Sequence, residues 1–307
     1  MSNRELIALG TSSQVPTRER NHNAYLLRWD GEGFLFDPGE GTQRQLILAN
    51  ISASCIRHIC ITHFHGDHCL GLAGVLQRLS VDRCEHPVNL YYPESGQVYV
   101  ERLQDAAIYK SPINVRLHPV AAPSGEMTTI LAAVRYTLKS FPLEHSVPTI
   151  GYRLEEPPSL RFLPEKLSNL GIHGPMVGEL QREGSLNLSG KSVTIEEVTV
   201  PRAGSIFAFV MDTRICAGAV ALAQDADLVV MEATYTSEHL ALAGSYLHLT
   251  AADAARAAKA AGARKLALGH FSQRYIDVGQ HLREAQEFFP DVITLNDLDK
   301  VEVPRRA

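Results

Sequence analysis

Apolar and polar positions alternate through the first part of the chain in short runs broken by turn residues. Residues 4–37 read as strands joined by polar loops, with 1–10 as a first strand and Gly33-Phe34-Leu35-Phe36-Asp37 as a strand end. Pro38-Gly39-Glu40-Gly41-Thr42 then turns the chain into a helix through about Ala49. Arg57-His58-Ile59-Cys60-Ile61 reads as a short buried strand, 71–79 and 95–109 as helices, and 88–92 as a strand. Val134 to Phe141 alternates like a strand, while Ile206 to Met211 and Lys265 to Gly269 are compact apolar runs. From Thr250 to Ala263 an Ala-rich stretch predicts a helix, with Thr250 as its N-cap and Gly262 as its stop. This succession predicts an α/β sandwich of layers.

One stretch breaks the pattern. Residues 156–190 carry Pro157-Pro158, Pro164, Gly171, Gly174-Pro175, Gly178, Gly184 and Gly190. That density of punctuation predicts an excursion from the core and not another strand of its sheets. The chain is therefore read as a single domain over 1–307 with an arm at about 156–190.

Composition narrows the function classes. The net charge of −5 over 307 residues gives no global basic field to attract nucleic acid. No apolar span is long enough for a membrane helix, and the N-terminal residues lack a signal-peptide pattern. Five cysteines, odd in number and without a C-x-x-C pair, argue against a disulfide framework or a structural zinc knuckle. A reducing compartment, the cytoplasm, is the expected location, with no membrane partner. Cys69, although next to His68, is expected to be a packed thiol.

The candidate chemistry sits at strand ends. Thr62-His63-Phe64-His65-Gly66-Asp67-His68 packs imidazoles and a carboxylate into a sharp turn just past a strand, and zinc and similar ions take such donors. Comparable residues recur past other apolar runs: His145 after 134–141, Asp212 after 206–211, and His270 after 265–269. Functional residues of α/β sheets collect outside strand ends, so the repetition predicts one site assembled from distant segments. Asp37 ends its own strand and is a candidate to orient a ligand histidine.

The H-x-H-x-D-H form of residues 63–68 resembles the signature of the metallo-β-lactamase superfamily. Val15 to Asn21 and Phe36 to Gln45 resemble the N-terminal part of the ribonuclease Z family of tRNA 3′-processing endonucleases. Glu232-Ala233-Thr234-Tyr235, His248-Leu249-Thr250 and His270 to Tyr275 resemble its C-terminal motifs, in the same order. Leu170 to Pro175 resembles the Gly-Pro part of the family's protruding tRNA-binding arm.

The resemblance implies a metallo-β-lactamase-like αβ/βα sandwich with an inserted, protruding arm. It also implies two divalent metal ions per chain, zinc foremost, with His63, His65 and His145 on one, Asp67, His68 and His270 on the other, and Asp212 bridging. Such a pair lies about 3.5–4 Å apart and can activate a hydroxide for attack on a phosphodiester. Asp67 would also accept a proton, and His248 would face the scissile phosphate and the leaving ribose oxygen, oriented by Glu232. The implied reaction is removal of 3′ trailers from precursor tRNA, leaving a 3′-hydroxyl, by a homodimer whose arm serves the neighbouring subunit. A hydrolase of small esters (a phosphodiesterase or arylsulfatase) and a non-enzymatic RNA-binding paralogue are the alternatives.

Two features depart from the family: Met211 stands before the bridging Asp where Gly is usual, and Leu249 follows His248 where a small hydroxylated residue is usual. The arm mixes Arg161, Lys166, Arg182 and Lys191 with Glu165, Glu179 and Glu183. Arg18, Arg20, Arg44 and Arg274 are therefore expected to supply local positive charge, and the 16–21 loop to lie near the cleft.

Overall fold

The computed structural model describes residues 4–109, 113–121, 125–188, 190–304 and 306. The first-strand expectation at residues 1–3 and the arm position 189 lie outside these. Two units pack separately, one formed by 1–155 with 206–304 and the other centred on 156–205.

The larger unit carries two seven-stranded sheets among the described residues. The first runs Lys300–Glu302, Glu5–Gly10, Ala24–Trp29, Glu32–Phe36, Ile56–Cys60, Val88–Pro93, Val115–Val120. It is antiparallel up to Glu32–Phe36 and parallel beyond. The second runs Val292–Thr294, Leu266–Gly269, Leu228–Glu232, Ile206–Val210, Thr149–Glu155, Thr137–Leu143, Thr128–Ala132. Its first three pairings are parallel and its last three antiparallel.

Residue type follows from position in these layers. Phe207, Phe209 and Met211 pack between the sheets against Tyr25, Phe36 and Tyr152. Ala208 and Val210, pointing the other way, pack with Leu222, Ala254 and Ala258 of the covering helices. Ile59, Leu35 and Leu90 meet Leu72, Val75 and Leu76 on the outer face of the first sheet. Strands covered on both faces must be apolar throughout, which is why 206–211 shows no alternation. The four layers, helix, sheet, sheet and helix, make the αβ/βα sandwich that the resemblance implies.

Several boundaries differ from expectation. The strand expected over 134–141 is Thr137–Leu143, because Ala133 and Tyr136 close a turn (Ala133 N to Tyr136 O 2.9 Å) and Val134 is exposed. The helix expected over 95–109 is a 3₁₀ turn, Glu94–Gly96, and then Gln97–Gln104. Beyond Gln104 its apolar stripe is lost, and Ile108 lies in solvent. The Ala-rich helix runs Ala251–Ala260, with the Thr250 side chain accepting from Asp253 N and Gly262 left-handed after it.

The smaller unit extends past 190 to Ser205. It contains helices Pro164–Asn169 and Pro175–Glu183, and strand pairs Ser159–Phe162 with Thr199–Arg202 and Ser185–Leu188 with Lys191–Thr194. Its core gathers Ile172, Leu180, Leu186, Val193 and Val198. The punctuators thus close short elements: Pro175 opens a helix and left-handed Gly184 ends it.

At the strand ends remote from the candidate site, Glu32 joins the sheets. Its carboxylate faces His58 Nε2 at 3.2 Å and accepts a hydrogen bond from the Tyr136 hydroxyl, at the start of a second-sheet strand. The hydrogen bond from His58 lowers the Glu32 pKa to about 2 against the opposing effect of burial, helped by the Tyr136 hydroxyl. A folded-state pKa below the unfolded value near 4.5 adds stability above that value and loses it as pH falls towards 2. Glu32→Gln should therefore flatten the acid limb of the stability profile between those pH values, as measured by denaturant unfolding at stepped pH.

Candidate metal centre

The site forms where strands of both sheets end. Asp37 follows Glu32–Phe36, His63 follows Ile56–Cys60, and His145 follows Thr137–Leu143. Asp212 follows Ile206–Val210, and His270 follows Leu266–Gly269. Three of these residues are left-handed, with φ of 45° at Asp37, 46° at Asp212 and 58° at His270. This conformation costs a non-glycine residue roughly 1–2 kcal/mol, so it persists only where the surroundings enforce it. It breaks each strand abruptly and turns the side chain into the crevice. His65 precedes the single helical turn Gly66–Cys69, which carries Asp67 and His68.

Hydrogen-bond polarity fixes which ring nitrogens are bare. Asp37 accepts from Thr62 N (2.7 Å), from the Thr62 hydroxyl (2.8 Å) and from His68 Nδ1 (2.8 Å). The Thr62 hydroxyl has spent its proton on Asp37, so it accepts from His63 Nδ1 at 3.0 Å. In the second sheet, Thr234 donates to Glu232 Oε2 (2.6 Å) and so accepts from His270 Nδ1 at 2.9 Å. His145 Nδ1 faces only a carbonyl, that of Leu247, at 3.4 Å. His63, His68, His145 and His270 are thereby each directed to present an unprotonated Nε2.

These nitrogens converge. His63, His65, His145 and Asp212 form one group and Asp67, His68 and His270 another, the donor atoms of each lying within 4.8 Å of one another. Asp212 spans the two. Its Oδ2 lies 3.5 Å from His63 Nε2 and 3.4 Å from His68 Nε2, and its Oδ1 lies 3.2 Å from His270 Nε2. Asp212, His248 and His270 make a third grouping.

The donor set fits a cation. His68 Nε2 and His270 Nε2 face each other at 3.1 Å although both protons are committed elsewhere. Asp212 Oδ1 is buried without a hydrogen-bond donor. Burial pushes the pKa of His63, His65 and His145 down, keeping them in the neutral form that metal ligation needs. For His68, burial is outweighed by Asp212, Asp67 and Asp37, which raise its pKa: three carboxylates call for positive charge at this point. Asp67, despite burial, is held well below the usual carboxylate range by His68 and His270.

His248 stands beside this cluster, its ring 5.1 Å from that of His145 and 5.7 Å from that of His270. Glu232 holds His248 Nδ1 at 2.9 Å, leaving Nε2 as its free nitrogen. Burial depresses the pKa of this imidazole, but the Glu232 carboxylate more than compensates and lifts it to about 9. Glu232 also accepts from Thr213 N at 2.6 Å, linking His248 to the segment after Asp212. A cleft of about 510 Å³ opens over the donors, and Gln14, Val15, Tyr235, Tyr246 and Arg274 are among its walls.

All seven predicted ligand residues and His248 meet here, and Asp37 and Glu232 orient histidines. Thr62, Thr234 and Gln14 went unsingled by sequence, because a hydroxyl or a backbone amide carries no pattern. Their nearest signal is position: Thr62 and Thr234 lie within the quoted motifs, beside the ligand and carboxylate residues. Met211 packs fully buried between the sheets and Leu249 in the helix-covered core, so neither departure disturbs the ligands. Cys69 donates to the His65 carbonyl at 3.3 Å, as a packed thiol. All five cysteines are free.

The 16–21 loop lies beside the cleft without lining it: the walls include Ser13, Gln14, Val15 and His22, which bracket it. Thr17 N bonds Arg20 O at 2.8 Å and folds that segment back, burying Arg20 against the Phe271 ring. Arg18 and Arg44 are exposed away from the cleft lining, and Arg274 alone of the four lines it. Replacing Thr62 by Val keeps its backbone N–H on Asp37 but removes the hydroxyl that donates to Asp37 and accepts from His63. Zinc affinity, measured by chelator competition, should fall by about 10–100-fold with the fold retained.

The metallo-beta-lactamase superfamily model matches residues 17–184. The chain is 52% identical over 307 residues to the ribonuclease Z of Nocardia farcinica, covering 100% of both. It is 44% identical over 305 residues to that of Chlamydia caviae, covering 99% of this chain and 98% of the relative. The solved structure of human tRNase Z, short form, superposes with a TM-score of 0.72 at 24% identity, over 98% of this chain and 99% of the other, a likeness of fold. With its sandwich, its strand-end donors and full-length identity of this order, the chain belongs to the ribonuclease Z family of the metallo-β-lactamase superfamily.

Proposed function

We propose that this chain is a zinc-dependent endoribonuclease that removes 3′ trailers from tRNA precursors and leaves a tRNA 3′-hydroxyl. The observation that carries this reading is the meeting of two donor groups, bridged by Asp212, beside the Glu232-held His248 at one open cleft. The full-length relatives named ribonuclease Z favour RNA over small esters as substrate. A complete donor set speaks against a non-enzymatic paralogue.

Two zinc ions per chain would be held by His63, His65, His145 and Asp212, and by Asp67, His68, His270 and Asp212. When bound, such ions supply Lewis acidity that lowers the pKa of water and steadies the oxygens of a phosphodiester. Asp67 sits among these donors as the ionised carboxylate able to take a proton from the attacking water. His248, with Nδ1 fixed by Glu232, would deliver a proton from Nε2 to the departing 3′-oxygen of the tRNA. Arg274 and Tyr235, in cation–π contact at 5.3 Å on the cleft wall, offer charge and a ring face to the RNA.

The smaller unit would grip the tRNA body, with the chain working as a homodimer in the cytoplasm and each arm serving the neighbouring cleft. Five free cysteines agree with a reducing compartment, and no helix among the described residues is long and apolar enough to cross a membrane.

Incubation with a 3′-extended pre-tRNA and zinc should give a cut near the discriminator base, mapped at the product end. His248→Ala should lower kcat by about 100-fold or more while KM moves little, since its contribution belongs to the transition state. Brisk hydrolysis of a small ester with no pre-tRNA cleavage would instead point to the small-ester alternative. Deleting 156–190 should raise KM for pre-tRNA sharply and spare a small phosphodiester, and equal loss on both would make the segment structural. Sedimentation should find a dimer, and a fully active monomer would contradict the exchange of arms.

A further inference from the structure

Asp67 has a support that the metal motif does not supply. Its Oδ2 accepts the backbone N–H of Gln14 at 2.7 Å, besides facing His68 Nε2 and His270 Nε2 at 3.4 Å each. Gln14 is no ordinary donor. It is left-handed, with φ of 54°, and lies at the centre of a three-residue turn in which Val15 N bonds Ser13 O at 2.6 Å. A three-residue turn centred on a left-handed, non-glycine residue is the rare and strained form. The Gln14 side chain is exposed, so side-chain burial does not hold the residue there.

What holds it is His22. This imidazole is buried, and its Nε2 lies 3.1 Å from the Gln14 carbonyl oxygen. A carbonyl can only accept, so Nε2 carries the proton. The next partner of the ring is Glu40, whose carboxylate lies 4.0 Å from Nδ1. The His22 backbone is itself fixed by a bridge to Ser12, and its Cβ and the Asp67 carbonyl both border the space that a Gly39 side chain would occupy. A larger residue at Gly39 would collide with both. The Gln14 backbone is thus gripped on both sides of its Cα: Asp67 takes its N–H and His22 its C=O.

We propose that His22 is a positioning residue for Asp67, acting through the strained backbone of Gln14. The inference rests on the proposed reading of Asp67 as ligand and proton acceptor. By holding Gln14, His22 keeps the amide aimed at Oδ2 and so fixes the carboxylate's rotamer against the second donor group. Both residues also line the cleft, but the effect proposed here passes through the orientation of one carboxylate.

The test compares His22→Gln, whose amide nitrogen can replace the Nε2 donor, with His22→Met, of similar size but without a donor. Metal-free full-length protein is titrated with zinc, and Asp67→Asn identifies which binding step belongs to the Asp67 group. His22→Met should weaken that step by about 10–100-fold and leave the other unchanged, and His22→Gln should restore it to near the wild-type value. On pre-tRNA, kcat should follow the same order with KM little altered. A merely structural role would weaken both steps together and lower the melting temperature in both variants, and that result overturns the proposal. So does wild-type zinc binding in His22→Met. Wild-type protein that takes up only one ion would overturn the two-metal reading itself, and the relay with it, which distinguishes the two failures.

Discussion

His68 and His270 meet Nε2 to Nε2 at 3.1 Å while the Nδ1 protons of both rings are engaged elsewhere, so two neutral rings would repel there. The arrangement is stable only with positive charge between the rings. Much of the surrounding hydrogen bonding imposes it: Asp37 takes the Nδ1 proton of His68, Thr62 that of His63, and Thr234 that of His270. Each hydroxyl is in turn oriented by a buried carboxylate, Asp37 in one sheet and Glu232 in the other. The two sheets thus present the same device from opposite sides: a carboxylate, a threonine and a histidine in line, with the bare nitrogen facing inward.

The scaffold makes this possible because its precision is inexpensive there. Central strands covered on both faces are rigid, and a left-handed residue at a strand end redirects the chain within one position. Asp37, Asp212 and His270 all use it. The strain is local, whereas the packing that sustains it, Phe36, Phe209 and Met211 between the sheets and Leu268 beneath a helix layer, is spread over the whole unit.

Much of this is legible in the chain. Each ligand lies just past an apolar run, and a run too apolar to alternate, such as 206–211, already signals a strand buried on both sides. The details that are not legible share a cause. Alternation carries on through the turn before Thr137, so periodicity sets that strand too early. Arg20 has the look of a phosphate contact, but stacking on Phe271 is a tertiary choice that no local pattern announces. The threonines that settle tautomers are ordinary residues in sequence. Their significance lies in which neighbour has already taken their single proton.

The smaller unit leaves the second sheet at Glu155 and returns at Ile206, and these two residues are register partners on adjacent antiparallel strands. The chain therefore departs and comes back at a point already closed by the sheet's own hydrogen bonds. Loop-closure entropy grows only slowly with length, so whatever is spliced between these positions adds little to the cost of folding the core. The junction behaves as a socket. Its contents can be lengthened, shortened or exchanged over generations while the strand leading to Asp212 keeps its register, so the inserted unit can change without moving the metal site.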